Sequence, residues 1–281
     1  MRVQSPRDLA ELFEALQTPG AQPLAGGTDL LVRLRAARKD GVKPLPASLV
    51  RLDGVEALRG VRREADGALR LGAASTHAEL LAHPLVRAAL PELAAALTQL
   101  GSPPIRNMGT LGGNICTASP AGDCLPPLYA LGAVVELASQ AGARRMRLAE
   151  FIAGPGRTGL KPGEVLAAAI VPPAPEFQVR HFEKVGRRGA LAIAVVSLSA
   201  LLRLERGRIA EARLAWGSVG PTVWRCPEAE AELVGRKPTL AALSAAAAVV
   251  RENVRPIGDL RASADYRRQV AGNLLLRLAL L

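Results

Sequence analysis

The sequence predicts an α+β protein of two domains, and three observations lead to this fold class. Its 281 residues are 49% hydrophobic, which is enough to bury two compact cores. Strand and helix patterns are interspersed in the first half, whereas the second half opens with strands and ends in helices. The proline-rich residues 172–175 separate the halves. We therefore expect an N-terminal domain over residues 1–175 and a smaller C-terminal domain over residues 176–281.

The N-terminal half begins with an amphipathic helix. Ser5 is the expected N-cap, Pro6 lies in the first turn, and apolar residues recur at helical spacing up to Leu16. Thr76 is the expected N-cap of another helix. The remaining expected elements up to residue 100 are strands at 22–25, 48–52 and 68–73 and helices at 30–34, 76–81 and 91–100.

Residues 101–123 form the longest segment rich in Gly, Pro, Ser and Asn. A loop of this length inside a compact domain is usually functional. After it we expect a helix at 125–131, strands at 134–137, 144–148, 165–171, 179–185, 192–204 and 209–218, and helices at 227–233, 240–251 and 263–280.

Composition narrows the class of protein. The three cysteines show no C-x-x-C spacing and form an odd count, which argues against a disulfide framework or a structural zinc site and favours a reducing cytoplasm. No apolar run is long enough to cross a membrane. The net charge of +11 would suit nucleic acid or an acidic partner, but two Trp, two Tyr and four Phe offer few rings for stacking bases.

Two glycine pairs are the main candidates for a binding site. Gly26 and Gly27 precede Thr28, and Gly112 and Gly113 precede Asn114, each pair between apolar residues. Glycine allows a phosphate to approach the backbone, and two such loops would suit one diphosphate. Neither pair matches a standard nucleotide-binding motif, so the spacing of the glycines alone only weakly indicates a nucleotide cofactor.

The wider context resembles a known family, the FAD-binding medium subunit of the molybdenum hydroxylases, which include xanthine and carbon monoxide dehydrogenases. The similar blocks occur in family order over almost the whole chain: LAGGTDLL at residues 24–31, IRNMGTLGGNI at 105–115, ASPAGD at 118–123, PPLYAL at 126–131, FEKVGR at 182–187, AIAV at 192–195 and ASADYR at 262–267. As a set these blocks are highly specific.

This resemblance implies a two-part FAD-binding domain of the vanillyl-alcohol oxidase (PCMH) type, followed by a domain of antiparallel sheet plus helices. Ser119 and Asp123 would bind ribityl or ribose hydroxyls. Leu166 would pack near the flavin, and Lys184 would face its N1/C2=O edge, where a cation raises the flavin potential. The diphosphate would be held, mainly through backbone N–H groups, by Ala25, Gly26, Gly27, Thr28, Asp29, Thr110, Leu111, Gly112, Gly113 and Asn114, and Leu24 and Leu30 are also expected to bind the cofactor.

Each assignment has a structural alternative. Asp123 could cap the following helix, Lys184 could be a solvated edge residue, and Ser119 could belong to a simple turn. His77 and His83 lie near helix starts, where a single His is more often a cap or surface contact, so neither receives a catalytic role. Several relatives cover the flavin with an aromatic ring where this chain has Leu100 and Leu191.

The implied function is electron transfer within a larger complex. The chain lacks the C-x₄-C-x₂-C run of a plant-type iron–sulfur protein and the length for a molybdenum-cofactor domain. An iron–sulfur subunit and a molybdenum subunit are therefore expected as partners, in a heterotrimer that is often doubled. A free-standing FAD-dependent oxidoreductase and a non-enzymatic module with a basic surface remain as rivals.

Overall fold

The computed structural model describes residues 2–40 and 45–280. The elements of the first half are β1 (Arg2–Gln4), α1 (Leu9–Leu16), β2 (Ala21–Leu24), α2 (Leu30–Asp40), β3 (Ser48–Arg51), β4 (Val61–Arg63), β5 (Leu69–Gly72), α3 (His77–Ala82), α4 (Pro84–Ala89), α5 (Pro91–Gln99), α6 (Pro103–Met108), α7 (Leu111–Thr117), α8 (Leu125–Ala130), β6 (Val134–Ser139), β7 (Gly142–Arg147), α9 (Leu148–Phe151), β8 (Ile152–Gly154), β9 (Arg157–Thr158) and β10 (Val165–Val171).

The second half contains β11 (Val179–Val185), β12 (Val196–Glu205), β13 (Arg208–Gly217), β14 (Trp224–Arg225), α10 (Pro227–Leu233), α11 (Leu240–Asn253) and α12 (Ala264–Leu276). Short 3-10 turns occur at Glu56–Leu58 and Arg277–Leu280. None of the helices in the described ranges is long and apolar enough to cross a membrane.

The first half contains a small parallel sheet and a larger antiparallel sheet. The parallel sheet has the order β1-β3-β2, and the antiparallel sheet has the order β4-β5-β10-β6-β7. β10 lies at the centre of the larger sheet, and every one of its residues is buried, which explains its continuous apolar sequence. A register shift between Leu166 and Ala168 interrupts its pairing with β6.

The second half is an antiparallel sheet with the order β11-β12-β13-β14, covered by α10, α11 and α12. Trp216 is completely buried in this core, and its indole N–H donates to the carbonyl of Ala271 at 3.0 Å. The ring of Trp224 packs at 5.4 Å from it. A buried Trp needs such a partner for its polar N–H, so this bond fixes α12 on the sheet.

The two halves pack directly on each other. Phe177, Leu201 and Ala215 belong to the same buried cluster as the apolar residues of the first half. The carboxylate of Glu92 in α5, which is completely buried, pairs with Arg180 in β11 through two bonds of 2.9 and 2.8 Å. The halves are therefore joined by apolar contact and by a two-bond ion pair.

The α+β class is confirmed, because helices are combined with mostly antiparallel sheets in both halves. Two local predictions were wrong. α1 is capped by Asp8, whose carboxylate accepts from the amide of Glu11 at 2.8 Å, and Ser5 lies outside the helix. The expected loop at 101–123 contains α6 and α7, because its prolines and Thr110 begin short helices.

Candidate functional site

A cavity of about 610 Å³ lies beside the central strand of the larger sheet, a volume typical of sites for small ligands and cofactors. The two glycine pairs of the sequence both line it. The first loop, residues 25–29, follows β2, and the second loop, residues 109–114, leads into α7. Segments more than eighty residues apart in the chain therefore meet at one hollow.

The first loop is shaped by close backbone contact. A Cβ atom on Gly26 would lie 1.7 Å from the carbonyl oxygen of Met108, so no side chain can stand there. Gly27 has a φ of +70°, in the left-handed region that favours glycine. Within the described ranges, the backbone amides of Gly26, Gly27, Thr28 and Asp29 donate to no protein acceptor. Unpaired amides followed by the start of an eleven-residue helix form a suitable anion site.

The second loop differs, because among the described residues each of its amides except that of Thr110 already has an acceptor. Gly112 is packed so closely on the backbone of β5 and its following turn that a Cβ atom would lie 2.8 Å from the carbonyl oxygen of Ala73, whereas one on Gly113 would approach only the Thr110 hydroxyl. The bonds run from Leu111 to Ser75 O at 3.1 Å, from Gly112 to Ala73 O at 2.8 Å, from Gly113 to Thr110 Oγ1 at 3.1 Å and from Asn114 to Thr110 O at 3.0 Å. This loop therefore offers close approach rather than free amides.

Side chains also connect the loops. The hydroxyl of Thr117, at the end of α7, donates to the carboxylate of Asp29 at 3.2 Å. The same carboxylate pairs with Arg33 at 2.9 Å, one turn along α2. On the opposite side, Glu164 accepts two bonds from Arg144 at 2.7 and 2.8 Å, which lower the pKa of Glu164 to about 2. Each of these carboxylates is therefore paired with an arginine.

Asp123 in the first half and Lys184 in the second form another ion pair between the two halves. The Lys184 ammonium donates to Asp123 Oδ2 and to the carbonyl of Gln99, both at 2.8 Å, and to the carbonyl of Ala192 at 3.2 Å. Burial raises the pKa of Asp123, and Lys184 opposes that shift. The second oxygen of Asp123, Oδ1, is buried without a partner, as is Oδ1 of Asn114.

His77 is a cavity-lining residue to which the sequence assigned no role. Its side chain belongs to a residue that is only 3% exposed, and its Nδ1 lies 4.0 Å from the Cys124 thiol. Burial, with a smaller effect from Arg106, lowers the pKa of His77 to about 4, so the imidazole is neutral near pH 7. Burial also raises the pKa of Cys116, another lining residue, to about 12.

Most of the sequence-predicted residues line this cavity, namely Ala25, Gly26, Gly27, Thr28, Asp29, Leu30, Thr110, Gly112, Gly113, Asn114, Ser119, Asp123 and Leu166. Three do not. Leu24 is in β2, Leu111 is completely buried in the first core, and Lys184 reaches the cavity wall only through Asp123. Leu100 lines the cavity, whereas Leu191 is half exposed and does not.

The sequence missed several lining residues: Gln22, Pro23, Arg33, Leu52, Ala73, His77, Ile105, Gly109, Cys116, Thr117, Ala121, Gly122, Leu160, Glu164, Val165 and Ile193. Leu160 comes from a segment that matches none of the family blocks, and Ile193 lies in the AIAV block at 192–195, to which no binding role was assigned. The position of His77 at a helix start was predictable from the sequence, because His77 directly follows Thr76, the N-cap of α3. Nothing in one sequence indicates that this helix start meets the second loop.

The residues present suit a flavin dinucleotide. The unpaired amides of the first loop can receive an anionic diphosphate, and the orphaned oxygens of Asp123 and Asn114 can accept hydroxyl or amide donors. A buried polar atom without a partner is costly, so these oxygens call for a ligand with donors. Apolar Leu100, Leu166 and Ile193 supply surface for a ring system.

Comparison with known proteins gives family matches over nearly the whole chain. Residues 1–174 match the FAD binding domain in molybdopterin dehydrogenase, and residues 180–280 match the CO dehydrogenase flavoprotein C-terminal domain. The xanthine dehydrogenase FAD-binding subunit of Escherichia coli O157:H7 is 35% identical over 262 residues, covering 92% of this chain and 88% of that protein.

Other similar proteins are also subunits or enzymes of the dehydrogenase and oxidoreductase type. The carbon monoxide dehydrogenase medium chain of Hydrogenophaga pseudoflava is 30% identical over 277 residues, covering 97% of this chain and 93% of that protein. Among solved structures, quinoline 2-oxidoreductase from Pseudomonas putida 86 matches with a TM-score of 0.92 and 30% identity, covering 100% of this chain and 95% of that chain.

Proposed function

Because this chain belongs to the family of FAD-binding subunits of the molybdopterin dehydrogenases, we propose that it carries electrons from iron–sulfur clusters on a partner subunit to an external acceptor. FAD is its cofactor, and the protein is an oxidoreductase subunit. Bound FAD accepts electrons one or two at a time and so can join one-electron carriers to a two-electron acceptor.

The observation that carries this proposal is the state of the ionisable groups around the cavity. Among the described residues, each lining carboxylate, of Asp29, Asp123 and Glu164, is paired with a cation. Burial lowers the pKa of the lining histidine, His77, to about 4, which makes its imidazole a weak base, and burial keeps the lining thiol of Cys116 protonated. Proton abstraction from an organic substrate needs a base that is free to act. Electron transfer needs none, and this favours an electron-transfer subunit over a free-standing oxidoreductase.

The roles of the site residues follow from their contacts. Amides of the first loop would hold the diphosphate, aided by the close approach that Gly112 and Gly113 permit. Asp123 would use its free oxygen, Oδ1, for a ribityl or ribose hydroxyl and its other oxygen for Lys184. Ser119 would contact a hydroxyl from the same wall, and Leu166 would pack near the flavin. For Lys184 to face the N1/C2=O edge, its ammonium must exchange one of its three present acceptors.

The proposed partners are an iron–sulfur subunit and a molybdenum-cofactor subunit of the same complex. Relatives are named as subunits or medium chains of dehydrogenases. This chain has three cysteines, all free, and four thiolates are needed for a typical iron–sulfur cluster. Free thiols also support a cytoplasmic location. We place the domain boundary after residue 175, in the proline-rich segment.

Reconstitution with the partners tests the proposal. The purified chain should show the visible absorption bands of flavin, and adding reduced iron–sulfur subunit under anaerobic conditions should bleach them in a single turnover. The same subunit with its cluster removed is the control. If the loaded chain oxidises a small organic substrate by itself, and reduced partner does not bleach it, the protein is a free-standing oxidoreductase.

A further inference from the structure

His77 is placed against the second loop by backbone bonds. Its amide donates to the carbonyl of Gly109 at 2.9 Å, and Thr76 pairs with Thr110 in an isolated bridge. A Cβ atom on Gly109 would lie 3.4 Å from His77 Nε2, so the ring edge packs directly on the loop. The backbone of Gly26 contacts the same loop at Met108 and Gly109. Gly109 therefore lies between the imidazole and the first loop with its unpaired amides.

The contact with Cys124 favours one tautomer of the imidazole, because a thiol that donates to Nδ1 leaves the ring proton on Nε2. Cys124 is completely buried, and burial raises the pKa of its thiol, so the sulfur keeps its proton. The S–H can donate only to an acceptor, and His77 Nδ1 lies 4.0 Å away. A neutral imidazole that accepts at Nδ1 carries its proton at Nε2. The cavity-facing nitrogen is therefore a donor.

Among the described residues, His77 Nε2 makes no hydrogen bond to the protein, whereas the second-loop amides of Gly109, Leu111, Gly112, Gly113 and Asn114 each donate to a protein acceptor. His77 is 3% exposed and lines the cavity, so a ligand in the cavity can supply an acceptor to this nitrogen. Arg106, the charged group that acts on the imidazole, donates its own N–H groups to carbonyls of Leu100 and Gly101. An acceptor on the occupant of the cavity would satisfy this donor, and the strongest acceptor that the unpaired first-loop amides would hold is a phosphate oxygen.

We propose that His77 is a cofactor-binding residue whose Nε2–H donates a hydrogen bond to the diphosphate of FAD, on the side of the second loop. The first loop contributes amides, and the second contributes this imidazole in place of amides. Cys124 is a positioning residue, because its thiol holds the ring in the donating tautomer. The inference rests on FAD binding by the family and is independent of the electron-transfer proposal.

The test compares ligands with and without phosphate. FAD, ADP and riboflavin are titrated into the FAD-depleted chain, by flavin fluorescence for the flavins and by calorimetry for ADP. His77→Leu removes the donor, and His77→Gln keeps an N–H near the position of Nε2. We expect His77→Leu to weaken FAD and ADP binding by about 10- to 100-fold, the range for a hydrogen bond to a charged acceptor, and to leave riboflavin affinity unchanged. His77→Gln should recover most of the loss.

Two results would overturn the proposal: unchanged binding of FAD and ADP by His77→Leu, or equal losses for all three ligands. If His77→Leu does not fold, ¹⁵N-histidine NMR of the unsubstituted chain tests the proposal instead. The protein has three histidines, and His83→Asn and His181→Asn variants assign the spectrum. The His77 signal should report an Nε2–H tautomer and shift on adding ADP but not riboflavin. An Nδ1–H tautomer, or no shift with ADP, contradicts the proposal.

Discussion

Gly26 and Gly113 belong to the two glycine pairs, but they are glycine for different physical reasons. A Cβ atom on Gly26 would overlap the carbonyl of Met108, so this glycine lets the two loops touch. A Cβ atom on Gly113 would meet only the Thr110 hydroxyl at 3.0 Å, and beyond it lies the cavity. The first glycine is thus required by the protein's own packing, and the second by the space left for the cofactor.

Gly113→Leu should therefore abolish retention of FAD while the chain stays folded, because the new side chain fills part of the cavity. Gly26→Ala should lose both FAD and stability, because the loops must separate. Flavin absorbance after gel filtration measures retention, and urea unfolding measures stability. His83→Asn, which keeps a side-chain acceptor for the cap of α4, is the control and should retain FAD. Full retention of FAD by Gly113→Leu would contradict this account of the second loop.

The ion pair of Glu164 with Arg144 should make the stability of the fold depend on pH. The bonds of Glu164 to Arg144 lower the pKa of the folded state from 4.5 to about 2, so the pair stabilises the fold above pH 4.5 and the gain is lost as pH falls toward 2. The stability difference between the unsubstituted protein and Glu164→Gln should be constant near neutral pH and shrink through that window. Urea midpoints at several pH values measure it, with exposed Glu176→Gln as the control. A difference that does not change with pH would show that the carboxylate charge is not involved.

At the scale of elements, α5 and β11 position the wall between the two halves. Arg180, Phe182 and Lys184 point to the same side of β11, because side chains alternate along a strand. Arg180 pairs with Glu92 in α5, and Lys184 donates to the carbonyl of Gln99 at the end of the same helix. The strand is therefore fixed to the helix at two points. At one of them, Lys184 also binds Asp123, which lies in the cavity wall.

Arg180→Met should destabilise the protein by about 3 kcal/mol, because it leaves the completely buried carboxylate of Glu92 without a partner. The double variant Arg180→Met with Glu92→Met should recover much of this loss, since it removes the unpaired charge. Urea unfolding measures both. Arg7→Met, in the exposed pair with Glu11, is the control and should have no measurable effect. A double variant as unstable as the single one would show that packing, rather than charge, explains the loss.

At the scale of the whole molecule, the net charge of +11 is available to attract an acidic partner. Many arginines form ion pairs with carboxylates of this chain. Arg187 and Arg188 are exposed in the segment between β11 and the cavity-lining Ile193. A partner that delivers electrons must come close to the cavity. These two arginines are therefore well placed to meet it.

Association with the proposed iron–sulfur subunit should slow as salt rises, because the charge attraction is screened. Reversing both charges, Arg187→Glu with Arg188→Glu, should slow association further at low salt and reduce the salt dependence. Stopped-flow association kinetics measure both effects. The matched control reverses Arg62 and Arg63, which are exposed on β4. Equal effects of the Arg187/Arg188 and Arg62/Arg63 reversals would mean that the association rate depends only on the total charge of the protein.

The parts of the fold that the sequence predicted well are those with strong local patterns. The bounds of β10, β11 and α10 agree with the prediction, because a continuous apolar run, an alternating run and a proline at a helix start each act over a few residues. β1, β4 and β14 were missed, because strands of two or three residues leave little pattern and depend on a neighbour for their hydrogen bonds.

The sequence by itself determined the α+β class, the two glycine loops and, through the family blocks, the cofactor. These follow from local backbone preferences and from motifs that lie contiguously in the chain. Only the tertiary structure decided which loop amides are unpaired, which acceptors hold Lys184, and that His77 packs against the second loop. Those properties arise from hydrogen bonds and burial between residues far apart in sequence, such as Lys184 with Asp123 and His77 with Cys124, and packing sets them.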